Sequence, residues 1–109
     1  MAKAVSNLRA PPHSEGTIYA AWVLWLIGRT EPEIAYLLGK KPKQIAGIVT
    51  RSPYRNRSAM TIEARQAHLD ELIAVRVGDN GKPLDGGILD KFKHRAIPLR
   101  GKQRRRGSD

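Results

Sequence analysis

The run of ten apolar residues from Ile18 to Ile27 constrains the fold more than any other feature of this chain. It is much shorter than the roughly 20 residues that a membrane-spanning helix needs, so it predicts a buried helix. Ser14 is a suitable N-cap and Gly28 a suitable stop, which places the helix from Glu15 to Ile27. Apolar residues cover all of its sides, so two surfaces must be covered. Either a fourth helix or another subunit covers the second surface. The second alternative predicts a homodimer that forms through the 15–27 helix.

Charge indicates the class of partner. Twenty Lys and Arg residues against ten Asp and Glu give a net charge of +10 over 109 residues, which favours a polyanion. Double-stranded DNA is the preferred candidate because clustered cations release counterions from its phosphates. RNA also binds clustered cations through its phosphates and is the less favoured alternative. A membrane partner is not expected, because no segment combines a basic helical face with a large apolar one.

The residues that carry catalysis in other proteins are missing or scattered. The chain has no cysteine, which excludes thiol chemistry and Cys-based zinc sites and fits a reducing compartment. His13, His68 and His94 are too far apart in the chain to suggest a metal site. We therefore predict a protein that is not an enzyme, has no metal or cofactor, and is cytoplasmic and associated with the nucleoid.

Two more helices are predicted after the first. Thr30 is an N-cap candidate followed by acids and a proline, and Gly39 follows the last apolar position of that helix, Leu38. Pro42 suits the first turn of a third helix, which ends near Arg51. The two helices are joined by a turn short enough for a helix-turn-helix unit at residues 31–51.

Such a unit needs small or apolar residues where its two helices meet. The sequence has them at suitable spacing: Ile34, Ala35, Leu38, Ile45 and Ile48. The spacing and the turn glycine together predict that the two helices pack closely against each other.

The chain here resembles the homeodomain-like helix-turn-helix superfamily, which includes sigma-factor region 4, resolvase DNA-binding domains and short bacterial or phage regulators. The resemblance covers about residues 17–57 and rests on the segments GRTEPEIAYLLG (28–39) and QIAGIVTR (44–51). Lys40 departs from it, since the position after the turn glycine is usually apolar. The resemblance implies that the third helix reads bases in the major groove through Lys43, Gln44, Gly47, Thr50 and Arg51.

Positive charge is concentrated around this third helix. Between Lys40 and Arg57 there are six basic residues and no acid. The basic residues that flank the helix, and the arginines near the end of the chain, are predicted to bind phosphates. They are Lys40, Lys41, Arg55, Arg57, Arg104, Arg105 and Arg106.

The remainder of the chain completes a mainly α fold. Apolar spacing predicts a fourth helix that starts at Ser58 or Thr61 and ends near Val77. A glycine-rich turn is compatible with a short β-hairpin near residues 75–84. A short helix is expected from Ile88 to His94. The predicted fold is a trihelical helix-turn-helix core plus this fourth helix.

Three parts are expected along the chain: a flexible arm over 1–13, a single helical domain over 14–97, and a disordered basic tail over 98–109. The function predicted from these features is DNA binding by a small transcriptional regulator. Two alternatives are an architectural or packaging protein with little sequence choice, such as a nucleoid protein or small phage terminase subunit, and an RNA-binding module.

Overall fold

The computed structural model describes residues 13–99, so the predicted N-terminal arm and basic tail lie almost entirely outside the described residues. Within this range no strand forms, and the mainly α fold is confirmed. The four helices are α1 (Glu15–Ile27), α2 (Glu31–Leu38), α3 (Pro42–Thr50) and α4 (Ile62–Ala74). Short 3-10 turns occupy Arg57–Ala59 and Ile88–Lys91.

Local capping chemistry sets the ends of the first two helices, as the sequence predicts. The Ser14 hydroxyl accepts a hydrogen bond from the Thr17 amide at 3.1 Å. Thr30 and Glu33 cap each other's backbone N–H groups at the start of α2. Gly28 and Gly39 follow the two helices with φ of 124° and 68°, which a residue with a side chain rarely adopts.

The core is built around α1, which packs against each of the other three helices. Val23, Leu24 and Leu26 are completely buried there, with Ile34 of α2, Ile45 of α3 and Leu69 of α4 around them. None of the large exposed apolar side chains in residues 13–99 belongs to α1. The fourth helix is thus the element that covers the second surface of α1. The homodimer through this helix stays a prediction, but no uncovered face of α1 motivates it.

The region after α4 is less regular than predicted. α4 ends at Ala74. In place of a hairpin near residues 75–84, the structure has a single antiparallel bridge between Val77 and Pro83. Pro83 has no N–H to extend a ladder, which explains why two strands do not develop. The short helix expected from Ile88 to His94 is only the 3-10 turn Ile88–Lys91, and residues 93–99 have no regular secondary structure.

The last described segment runs along α1 from its first turn to its last. At one end, the Leu84 carbonyl lies so close to Gly16 that a side chain at this glycine would collide with it. At the other end, the Ile97 amide donates to the Ile27 carbonyl at 2.8 Å. Residues 84–97 therefore close the domain on the side of α1 that the helices leave open.

A buried arginine joins this segment to two helices. Arg65 of α4 is 2% exposed and donates to the carbonyls of Leu26, Ile27 and Ile97 at 2.7–3.2 Å. The last carbonyls of a helix have no partner within it, so the guanidinium of Arg65 completes the C-terminal end of α1. Burial lowers the pKa of Arg65.

Candidate nucleic-acid interface

The turn between α2 and α3 is short and sharply bent. Three residues, Gly39, Lys40 and Lys41, separate the helices, and Gly39 has the left-handed conformation. The Lys40 amide donates to the Ala35 carbonyl at 2.8 Å, which closes the end of α2. With the small side chain of Ala35 buried beside it, this turn brings α3 directly against α2.

The inner and outer faces of α3 differ completely in character. Ile45, Ile48 and Val49 are buried with exposures of 0%, 5% and 3%. The residues predicted to read bases share the opposite face, because positions three and four apart lie together on a helix. Four of them are exposed and Gly47 is half-buried: Lys43, Gln44, Gly47, Thr50 and Arg51. The structure therefore brings these five residues together on one solvent-facing stripe.

Two side chains of this stripe bond to the backbone of their own helix. The Gln44 Oε1 atom accepts from the Lys41 amide at 2.9 Å and so caps the start of α3. The Arg51 Nη1 group donates to the Gly47 carbonyl at 3.2 Å. A Cβ at Gly47 would lie 3.3 Å from Arg51 Nη1, so the absence of a side chain there gives this guanidinium room to fold back.

The flanking residues predicted to bind phosphates occupy different surroundings. Lys41 and Arg55 are exposed, and Lys40 is half-buried. Arg104, Arg105 and Arg106 lie outside the described residues.

Arg57, predicted to bind a phosphate, makes its described contacts inside the protein. Its Nη1 group donates to the carbonyls of Trp25 and Arg29 at 2.6 and 2.8 Å, and its guanidinium lies 3.5 Å from the centre of the Trp25 ring. Burial, with a smaller effect of Arg65, lowers the pKa of Arg57 to about 10, so it remains a cation at neutral pH. Arg57 thus stabilises the end of α1, and we do not include it in the interface proposed below.

One exposed aromatic residue was missed by the sequence reasoning. Tyr36, on the solvent side of α2, is 86% exposed. It lines an open groove of about 430 Å³ together with Leu37 and Phe92, and the Arg29 guanidinium lies 5.5 Å from the Phe92 ring centre. The signal was present in the sequence, because a helix that buries Ile34 and Ala35 must point Tyr36 outward.

Within residues 13–99, the cations on and around α3 are not held in ion pairs. The Arg and Lys ion pairs within residues 13–99 all involve Arg76, which holds Asp85 and Asp90 at 2.7 and 2.8 Å. None of the cations from Lys40 to Arg55 takes part in an ion pair in this part of the chain. The stripe on α3 and its flanking lysines therefore form a surface suited to an anionic partner.

Residues 13–99 contain no group of three or more potential metal-ligating side chains. Among the described helices, none has the length and apolar character required to cross a membrane. Comparisons with protein families, with curated proteins and with solved structures found no match to this chain.

Proposed function

We propose that this protein binds double-stranded DNA with α2 and α3 as a helix-turn-helix unit, and that α3 enters the major groove. One observation carries the proposal. The outer face of α3 is a polar and basic stripe, it is joined to α2 by a three-residue turn, and no acid occurs between Lys40 and Arg57. A recognition helix needs this combination, because its outer face meets both base edges and phosphates.

The residues of the stripe suit different parts of a DNA site. Lys43 can donate to guanine, and Gln44 can bind adenine through both its oxygen and its nitrogen. Gly47 lets the helix approach the floor of the groove closely. The exposed cations Lys41 and Arg55 flank the helix and suit the phosphate backbone, which they would contact whatever the sequence.

The biological role that fits a small reader of this kind is transcriptional regulation at the nucleoid. Selection of bound duplexes from a random pool tests it directly. We expect one preferred motif to emerge, and an inverted repeat of that motif would report the predicted homodimer. A pool that stays random after selection would contradict the regulator.

Variants of α3 then locate the surface. We expect Gln44→Ala and Lys43→Ala each to reduce the ratio of affinities for preferred and random duplexes by about 10-fold, since a good base contact contributes roughly 1–3 kcal/mol. Lys82→Ala, in the turn after α4, removes the same charge away from α3 and should change nothing. Unchanged duplex binding by Lys43→Ala would overturn the proposal, as would stronger binding to structured RNA than to DNA.

A second candidate is an architectural or packaging protein that holds DNA with little sequence choice. The observation that favours it is the use of Gln44 and Arg51 for bonds to the protein's own backbone, at 2.9 and 3.2 Å. Both bonds compete with base contacts. In this case Lys43→Ala would weaken binding to all duplexes equally, and the wild-type protein would show a steep salt dependence without a preferred site.

A further inference from the structure

The extended segment after the second 3-10 turn sorts its side chains into two sets. Phe92 and His94 are half-buried and Ala96 is buried, with 6% exposure. The residues that alternate with them are exposed, because successive side chains of an extended chain point to opposite sides. They are Lys93 and Arg95, and together with the exposed Lys91 at the end of the 3-10 turn they form what we call the basic strip.

The basic strip is held in place by the helices beneath it. The Ile97 amide donates to the Ile27 carbonyl at 2.8 Å, and Arg65 donates to the Ile97 carbonyl at 2.7 Å. Gln66 of α4 accepts from the Ala96 amide at 2.8 Å and donates to the His94 carbonyl at 3.2 Å. The three cations are thus presented from a backbone that is already fixed.

Its position relative to α3 follows from the contacts of α2. One side of α2 packs against α3. On another side, Phe92 shares the groove with Tyr36 and Leu37, and Ile88 lies near Leu38 in a second hollow. The segment that carries the basic strip therefore flanks α2, and the exposed Tyr36 lines the groove that this segment shares with α2.

The charge of the strip is also uncompensated within residues 13–99. None of its three members takes part in an ion pair there, and the neighbouring Asp90 binds Arg76 at 2.8 Å. Glu33 lines the same groove as Phe92 and keeps its negative charge while its carboxylate accepts from the Thr30 amide at 3.0 Å, so the three cations of the strip outnumber the acid of this groove. The surface beside α2 is accordingly suited to anions.

We propose that Lys91, Lys93 and Arg95 form a second phosphate-binding edge that contacts the DNA backbone while α3 occupies the major groove. When a helix-turn-helix unit binds DNA, its first helix crosses the backbone as the second enters the groove. Cations that flank the first helix are then next to the phosphates. This inference rests on the proposed DNA binding, and it adds a contact that senses charge and not sequence.

The test is the dependence of affinity on salt for wild-type protein and for Lys91→Ala/Lys93→Ala/Arg95→Ala. The slope of log K against log salt is negative, and each lost phosphate contact lowers its magnitude by about 0.9, so the triple variant should lower that magnitude by about 2.7. Lys93→Ala alone should lower it by about 0.9. The preferred sequence should not change, and thermal unfolding should match the wild type because all three side chains are exposed.

Lys82→Ala is the matched control, since it removes one exposed lysine elsewhere and should leave the slope unaltered. A triple variant with the wild-type slope, from a protein that binds DNA and is weakened by Lys43→Ala, would overturn the second edge alone. If wild-type protein does not bind duplex DNA at all, the proposed function fails and the second edge fails with it.

Discussion

Replacement of Arg65 by methionine tests the account of how α1 ends. Methionine keeps much of the apolar stem but removes every donor from a side chain that is 2% exposed. The guanidinium makes four hydrogen bonds to three carbonyls. Ile27 keeps one partner, because its carbonyl also accepts from the Ile97 amide at 2.8 Å. The carbonyls of Leu26 and Ile97 lose the bonds that Arg65 provides.

The size of the effect follows from these two carbonyls. A buried polar group left without a partner costs about 1–3 kcal/mol, so two of them cost about 2–6 kcal/mol. Removal of a buried charge without an acidic partner offsets part of this cost. We expect Arg65→Met to lower the free energy of unfolding by about 3 kcal/mol. For a domain of this size, that loss corresponds to roughly 12–24 °C in Tm.

Urea unfolding followed by tryptophan fluorescence measures this change, since Trp22 and Trp25 pack against the core. Arg55→Met is the control, because the same substitution at an exposed arginine should alter stability by less than about 0.5 kcal/mol. If Arg65→Met lowered the free energy of unfolding by as little as Arg55→Met does, the role assigned to Arg65 would be refuted. Water would then replace the guanidinium without cost.

Three further outcomes are expected. Burial opposes ionisation of Asp85, but hydrogen bonds from Arg76 and from backbone N–H groups dominate and lower its pKa from 3.8 to about 2. The folded protein therefore holds the Asp85 proton less tightly than the unfolded chain does. The ionised carboxylate contributes about 2 kcal/mol to the free energy of unfolding above about pH 4, and this contribution is lost toward pH 2. Acid unfolding of Asp85→Asn should lack this pH dependence. Gly39→Ala should lower the free energy of unfolding, measured in urea, by only about 1 kcal/mol, because alanine is strained in the left-handed conformation but its Cβ would meet nothing within 4 Å. A decrease of more than about 3 kcal/mol would contradict this expectation. Arg57→Ala should destabilise the fold by about 2 kcal/mol, whereas Arg55→Ala should weaken DNA binding and leave the unfolding curve unchanged; the reverse pattern would contradict their assignment.

The helices up to residue 50 could be predicted because their boundaries depend on local chemistry. Ser14 and Thr30 satisfy amides within their own first turns, and Gly28 and Gly39 adopt conformations that other residues avoid. The outer stripe of α3 was predictable for a similar reason, since helical periodicity alone separates Lys43 from Ile45. Its contacts with DNA stay predictions.

The roles of three arginines could not be predicted, because each depends on a partner in another part of the fold. Arg57 and Arg65 bind carbonyls at the end of α1, about 30 to 40 residues earlier. Arg76 binds Asp85 across the turn that follows α4. In a sequence with net charge +10, such residues look like surface cations. The basic strip was missed for a similar reason, since the alternation around Lys93 depends on the bond between the Ile97 amide and the Ile27 carbonyl of α1.

The position of Arg65 also bears on how the chain matures during synthesis. It follows Ile27 by 38 residues, so at about 5–20 residues per second it leaves the ribosome roughly 2–8 seconds after the end of α1. During that interval the carbonyls of Leu26 and Ile27 lack the donor that Arg65 provides in the native fold. We expect the first three helices to emerge as a loosely closed intermediate, which becomes native only when the second half of the polypeptide has been translated.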